Sequence, residues 1–388
     1  MVSFCVCVIV CANVYLLLQT TFPEDDTAAL ITDTNLKDTE AKTDNSNTEA
    51  KTDNSDTETN TDQKHTKLKS TQKDTEKRNP ETQQKRTVYK QHDLQVHIPS
   101  ASPPETKTCD SECLRLRTVL ETWDSSPRYA GKPKAAVYVL TSGRQSLSSM
   151  LTSLERFFLR NFSYPVVIFQ ESDLSFLRQQ FPSLDMFFQT VHFEIPNFVN
   201  SSKVVFNIPC LSHISYRHMC RFQSKLVYEE PILFGLGFLW RLDDDSEILA
   251  PIQYDLFQFM KQRNLLYGYV IQHFDSYKCT TNLWPAVDKF VNENRVTPTF
   301  FHEWKEPQII YNNFEISSSS IWRSESYQRY VNYLDRLGGI YYFRWGDAPI
   351  KSLALSLFVN KSSMHQFTDI TYKHASLVAK GGTVKLHA

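Results

Sequence analysis

Apolar and polar positions divide the chain into three unlike stretches. Val2 to Pro23 carries no charged side chain and is rich in Val, Leu, Cys, Phe and Tyr. As a helix it would run about 33 Å, enough to cross a bilayer. Its end, Gln19-Thr-Thr-Phe-Pro23, lacks a small-x-small cleavage site. Residues 1–23 are therefore expected to be an uncleaved signal anchor rather than a cleaved signal peptide. Between Lys37 and Thr87 apolar residues almost vanish, and a nine-residue unit starting at Glu40 recurs at Glu49. Such a stretch cannot bury enough surface to offset its chain entropy, so residues 24–108 read as a disordered stem. The repeat has no hydrophobic face to stack, which excludes a solenoid. Its Thr and Ser would accept O-linked sugar in the secretory lumen.

From 109 to 388 the pattern is that of a folded domain. Lys134-Ala-Ala-Val-Tyr-Val-Leu-Thr141 predicts a buried first strand. The spacing of Leu147, Met150, Leu151, Leu154, Phe157 and Phe158 predicts a helix after it. Tyr164 to Gln170 predicts a second strand, with a helix starting at Glu171-Ser-Asp173. Pro231 to Trp240 reads as a further buried strand, and Tyr267 to Gln272 as another. Tyr216 to Phe222 and Trp284 to Asn292 read as helical. This order implies an α/β fold with a parallel, doubly wound sheet and helices on both faces. Ligands in such sheets sit beyond the carboxyl ends of the strands. Thr141-Ser-Gly-Arg144 and Asp243-Asp-Asp245 both fall at such ends and are expected to share a site.

Composition and charge narrow the picture only slightly. The net charge of −1 favours neither nucleic acid nor an acidic ligand. Cys5, Cys7 and Cys11 lie in the apolar span. The other five, Cys109, Cys113, Cys210, Cys220 and Cys279, allow at most two disulfides and leave one thiol. None of their spacings is a zinc signature. Asn161-Phe-Ser, Asn200-Ser-Ser and Asn360-Lys-Ser are glycosylation sequons. The chemical candidates are few. Asp243-Asp-Asp245 at a strand end would repel one another unless a cation such as Mg²⁺ or Mn²⁺ sat among them; the alternative is a solvated acidic turn. Tyr216 and Arg221, with Arg217 between them, have the chemistry to stack a base and hold a phosphate, or they line a solvated helix face. Asp347 before Ala348-Pro349 fits a helix cap as well as a site residue.

Several blocks carry a resemblance. They are Tyr216–Phe222, Leu239-Trp-Arg241, Tyr254-Asp-Leu-Phe257, Asn313-Phe-Glu-Ile316, the run Leu334 to Phe358 containing Arg344-Trp-Gly-Asp-Ala-Pro349, and Asp369-Ile-Thr-Tyr-Lys-His374. In this order they resemble the fungal-type α-1,2-mannosyltransferases of the Golgi, over about residues 135 to 376. The resemblance implies a retaining transferase with the A-type glycosyltransferase fold, a Rossmann-like mixed sheet flanked by helices. It implies GDP-mannose as donor, Mn²⁺ as metal and a mannose-terminated glycan or glycoprotein as acceptor, with no nucleic-acid partner. It also implies a single-pass type II protein of the Golgi membrane with its catalytic domain in the lumen. Residue by residue, it places metal ligation on Asp243, Asp245 and His374, the nucleophilic carboxylate on Glu315, and an acid near the reacting sugar or acceptor on Asp347. Asp244 stands where the family has proline, and Ala250-Pro-Ile-Gln-Tyr-Asp255 replaces a more acidic segment.

The chemistry needs a neutralised diphosphate leaving group, a carboxylate by the oxocarbenium-like centre and a base for the acceptor hydroxyl. Thr141, Arg144, Tyr216 and Arg221 are the expected contacts to GDP. Retention proceeds either by double displacement through Glu315 or on one face with the leaving phosphate as base. Two other functions fit the same residues. One is a family member that binds glycans or a partner without turnover. The other is a transferase for a different nucleotide sugar.

Overall fold

The computed structural model describes residues 107–143, 145–206, 210 and 213–386. The predicted anchor, the stem up to residue 106 and Arg144 lie outside the described residues.

Two sheets organise the domain, a large parallel-rich one and a small antiparallel one. The large one has seven strands in the order β3-β2-β1-β4-β7-β6-β8. They are β1 (Ala135–Thr141), β2 (Val166–Gln170), β3 (Met186–Thr190), β4 (Phe238–Leu242), β6 (Tyr267–Phe274), β7 (Gln308–Ser318) and β8 (Met364–Gln366). The first four run parallel; β7 alone runs against its neighbours β4 and β6. The sheet is thus mixed, not wholly parallel as the strand–helix alternation implied. Nearly every β1 and β2 side chain is buried, which is why both read as unbroken apolar runs.

The small antiparallel sheet joins β5 (Ser246–Ile248), β9 (Tyr372–His374), β10 (Leu377–Lys380) and β11 (Thr383–Leu386). Its register sets His374 opposite Ser246, next to the acidic turn that leaves β4.

Ten helices are described: α1 (Ser111–Glu121), α2 (Ser146–Leu154), α3 (Leu177–Gln180), α4 (Ile214–Ser224), α5 (Leu256–Gln262), α6 (Leu283–Glu293), α7 (Ser319–Arg323), α8 (Glu325–Arg336), α9 (Gly339–Tyr342) and α10 (Asp347–Phe358). Four details differ from the sequence reading. Strand β4 begins only at Phe238, because Pro231–Leu233 forms a 3₁₀ turn. Helix α2 ends at Leu154 and continues as a π-helical turn to Leu159. The helix expected at Glu171 starts at Leu177. Asp347 is the first residue of α10 and makes no cap; Gly346 holds the N-cap position without a side-chain bond.

Helix α10 packs on β7 and on α4, so it lies directly behind the site. Its entry is a tight bend. Gly338 has φ +69°, and a Cβ on Gly339 would meet the Trp345 indole at 2.3 Å. Only glycine fits there, which gives the Gly-Gly of the resemblance block a steric reason. Asp255, in the segment that departs from the family, caps α5 by accepting from Phe257 and Gln258 N–H. Disulfides join Cys109 to Cys113 and Cys210 to Cys279, and Cys220 is a buried thiol.

Candidate active site

One cavity opens at the carboxyl ends of β1 and β4. Thr141, Tyr216, Arg241, Asp243, Asp244, Asp245, Asn312, Asn313, Asp347 and His374 all line it. The sheet order makes this inevitable: β4 lies between β1 and β7, so the turn after β4 faces residues of both neighbours.

That turn is the centre of the site. The Ser246 N–H donates to the Asp243 carbonyl at 3.0 Å and closes it. It sends the three carboxylates to different partners. Asp244 turns aside, accepting from the Thr141 hydroxyl at 2.8 Å. Asp243 and Asp245 face His374, whose Nε2 lies 3.6 Å from Asp243 Oδ2 and 3.1 Å from Asp245 Oδ1. One ligand atom from each of the three lies within 4.8 Å of the others. Burial by itself would lower the His374 pKa, but the two aspartates override it and raise it to about 10. Two carboxylates and an imidazole brought this close form an oxygen–nitrogen set that suits Mn²⁺. The other ring nitrogen, Nδ1, is buried with no hydrogen-bond partner.

Arg241 links the turn to the cavity floor. It is almost fully buried, and its Nε donates to Asp243 Oδ1 at 2.9 Å. Its other branch pairs with Asp347. The Asn312 amide donates to the same Asp347 oxygen at 2.8 Å. Burial pushes the Asp347 pKa up, yet Arg241 and Asn312 more than reverse this and hold it below the ordinary carboxylate value. Asp347 is therefore a fixed anion aimed at the cavity, and this role replaces the expected cap.

Other expected residues stand elsewhere. Glu315 is fully buried and does not line the cavity. Its Oε1 sits 2.5 Å from Lys351 Nζ, and its Oε2 accepts from the Tyr267 hydroxyl at 3.0 Å. Arg221 is turned away into a two-pronged pair with Asp335, at 2.8 and 2.9 Å, and does not line the cavity. Tyr216 does line it, but the Arg344 guanidinium covers its ring at 4.2 Å. That ring face is closed to a nucleotide base. The Tyr216 hydroxyl lies 3.8 Å from where a Cβ on Gly346 would stand, beside Asp347 rather than at the Thr141 end.

Sequence reasoning passed over Arg241, Asn312, Asn313, Lys351, Asp275 and Arg344. Arg241 and Lys351 had a readable signal, each a cation inside an apolar strand or helix, where charge is costly unless paired. Asp275 and Arg344 close the far side of the cavity. Burial raises the Asp275 pKa and Arg344 opposes the shift. Arg344 has φ +63°, a backbone conformation that no pattern of residue types announces.

Known proteins share parts of this sequence and its fold. The family model described as glycolipid 2-alpha-mannosyltransferase matches residues 37–383. The probable mannosyltransferase KTR3 of Saccharomyces cerevisiae is 36% identical over 204 residues, 47% of this chain and 50% of that one. The alpha-1,2 mannosyltransferase KTR1 of the same yeast is 31% identical over 279 residues, 64% of this chain and 70% of that one. The chain spans about half the length of several curated relatives, such as 50% of KTR3 and 52% of the probable mannosyltransferase MNT3 of Candida albicans. Among solved structures, core-mannan synthase A (CmsA/Ktr4) of Aspergillus fumigatus in its Mn/GDP form superposes with a TM-score of 0.61 at 28% identity. The match covers 66% of this chain and 78% of that one. Ktr4p of S. cerevisiae in complex with GDP gives a TM-score of 0.60 at 28% identity, covering 72% and 84%. The family match, which spans residues 37–383, places this chain in the glycolipid 2-alpha-mannosyltransferase family.

Proposed function

We propose that the protein is a retaining α-1,2-mannosyltransferase that moves mannose from GDP-mannose to an α-mannoside acceptor in protein glycosylation. One observation carries this reading. The Asp243–Asp245–His374 cluster and the Asp347 anion open onto the same cavity, bridged by Arg241. Asp243, Asp245 and His374 would hold Mn²⁺. When bound, the ion neutralises the diphosphate leaving group. Thr141 holds Asp244 out of the ligand set and so fixes the turn. Arg241 keeps Asp243 and Asp347 in register, and Asp347 faces the reacting sugar and acceptor.

The placement of Glu315 favours the same-face course over double displacement. The C1–O(phosphate) bond breaks while the acceptor oxygen forms its bond to C1 from the same side. The acceptor proton passes to the departing phosphate oxygen. Glu315, paired with Lys351 beneath the floor, contributes a fixed buried charge rather than a nucleophile.

The A-type glycosyltransferase fold, the anchor over 1–23, the stem over 24–108 and a lumenal catalytic domain over 109–388 complete the reading, as a type II protein of the Golgi membrane. Two disulfides support an oxidising compartment. So does the exposure of all three sequon residues, Asn161, Asn200 and Asn360.

The test uses the full chain from a secretory host, with GDP-mannose, Mn²⁺ and methyl α-mannoside. An α-1,2-linked disaccharide is expected. A folded chain that binds GDP and Mn²⁺ but makes no disaccharide from any mannoside overturns the reading. The burial of Glu315 favours one second reading, a glycan-binding relative without turnover. Donor hydrolysis in the absence of acceptor distinguishes the two.

A further inference from the structure

We propose that the side-chain amide of Asn313 reads two neighbouring hydroxyls of the transferred hexose and so determines which nucleotide sugar is accepted. This rests on the donor reading above. The argument begins with an irregularity in β7. Tyr269 pairs with Glu315 and Ile271 with Tyr311, so two steps along β6 face four along β7. Asn312, Asn313 and Phe314 thus stand opposite Val270 alone. In a regular strand, adjacent residues point to opposite faces. This bulge instead lets both Asn312 and Asn313 line the cavity.

The two amides differ in employment. Asn312 donates to Asp347. Asn313 is 3% exposed, and neither its Nδ2 nor its Oδ1 has a hydrogen-bond partner. Its backbone, by contrast, is pinned: the Asp243 N–H and the Tyr372 hydroxyl both donate to its carbonyl, at 3.3 and 3.0 Å. A buried amide with neither atom satisfied is rare in folded proteins and calls for a ligand or an ordered water. Its position favours the hexose. It is bonded through its backbone to the turn that would bind the metal, and it follows the residue that holds Asp347. The sugar must lie between those two places, with the diphosphate on one side and the acceptor on the other. A carboxamide offers a donor and an acceptor side by side, which matches two adjacent hydroxyls. It does so without adding charge beside Asp243 and Asp347.

A cycle on the holoprotein tests this. Transfer rates are measured for the wild type and Asn313→Ala with GDP-mannose and with GDP-mannose analogues each lacking one hexose hydroxyl. Asn313→Ser takes its place where the alanine variant fails to fold. For two of the analogues, wild-type kcat/KM is expected to fall roughly 10- to 100-fold, and Asn313→Ala should show the same loss with the complete donor. Combining variant and analogue should then cost little more than either alone. Affinity for GDP, which has no hexose, should be unchanged. Additive losses for every analogue would mean that the amide serves an ordered water or nothing, and would overturn the proposal. Weakened GDP binding in both variants would assign Asn313 to the metal turn and also overturn it. A wild-type chain that transfers nothing from GDP-mannose but binds GDP defeats the donor reading, and this inference with it.

Discussion

Two buried charge networks lie on either side of the cavity floor. Above it, Arg241 ties Asp243 to Asp347, and His374 faces two aspartates. Below it, Lys351 and Glu315 pair among the Tyr228, Tyr267 and Trp322 side chains. The upper network has more anions than cations and leaves oxygen atoms facing a cavity. The lower network is closed, with each charge matched inside the protein. An open network is built to complete itself with something from outside. A closed one fixes the packing of the elements that bear it, here β7 and α10.

The largest expected effect falls on the open network. Chelation should abolish transfer reversibly, and His374→Ala should lower the rate by roughly a thousand-fold in assays with Mn²⁺. Without metal, His374→Ala should also lower the melting temperature, because the raised His374 pKa marks a favourable pairing with the two aspartates; the drop should be smaller than for Lys351→Met. The closed network should behave inversely. Lys351→Met leaves a buried carboxylate alone and should cost about 3–5 kcal/mol by denaturant unfolding. Pairing it with Glu315→Gln should restore most of that stability and part of the activity. A double variant that is stable yet inactive would return Glu315 to the role of nucleophile and break the comparison.

A smaller effect concerns pH. Burial lowers the Lys351 pKa to about 8, against the partial opposition of Glu315. The unfolded chain keeps this proton up to about pH 10.4. Between about pH 8 and 10 the folded state therefore binds fewer protons than the unfolded, so this group's contribution to stability rises with pH. Thermal melts across that window, referenced to the Lys351→Met/Glu315→Gln variant, should show the wild type gaining. A falling difference would mean that the pair titrates from the other side. The smallest effect is expected at Arg221. Arg221→Ala breaks the pair with Asp335 but should leave GDP affinity unchanged in calorimetry. A tenfold loss would show that the guanidinium swings into the cavity.

The same contrast explains what the sequence disclosed. Asp243, Asp245, His374 and Asp347 were legible because they stand at strand and helix ends, in blocks of recognisable order. Thr141 was legible in position, since ligands gather beyond the strands; its hydroxyl donates to Asp244. The structure places Glu315 away from the cavity, and this has a physical cause. A carboxylate in an apolar strand announces that it has a reason to be there, but not whether its partner is a substrate or a lysine thirty-six positions away. Arg221 is a similar case: its partner Asp335 belongs to a different helix, out of reach of any local pattern. The bulge in β7 and the φ of Arg344 leave no residue-type signature, and with them the cavity's far side stayed hidden.

The Cys210–Cys279 bond has a consequence for where the molecule can work. Cys279 lines the cavity, and the bond fastens the chain ahead of α4 to its rim, closing a span of 69 residues. No disulfide among the described residues crosses the seven-stranded sheet. In a reducing environment the mouth of the cavity would lose the one covalent fastening that the described residues give it. On the function proposed above, a chain kept in a reducing compartment should transfer less mannose than the same chain with this bond closed. Geography and competence are joined in a single sulfur–sulfur bond.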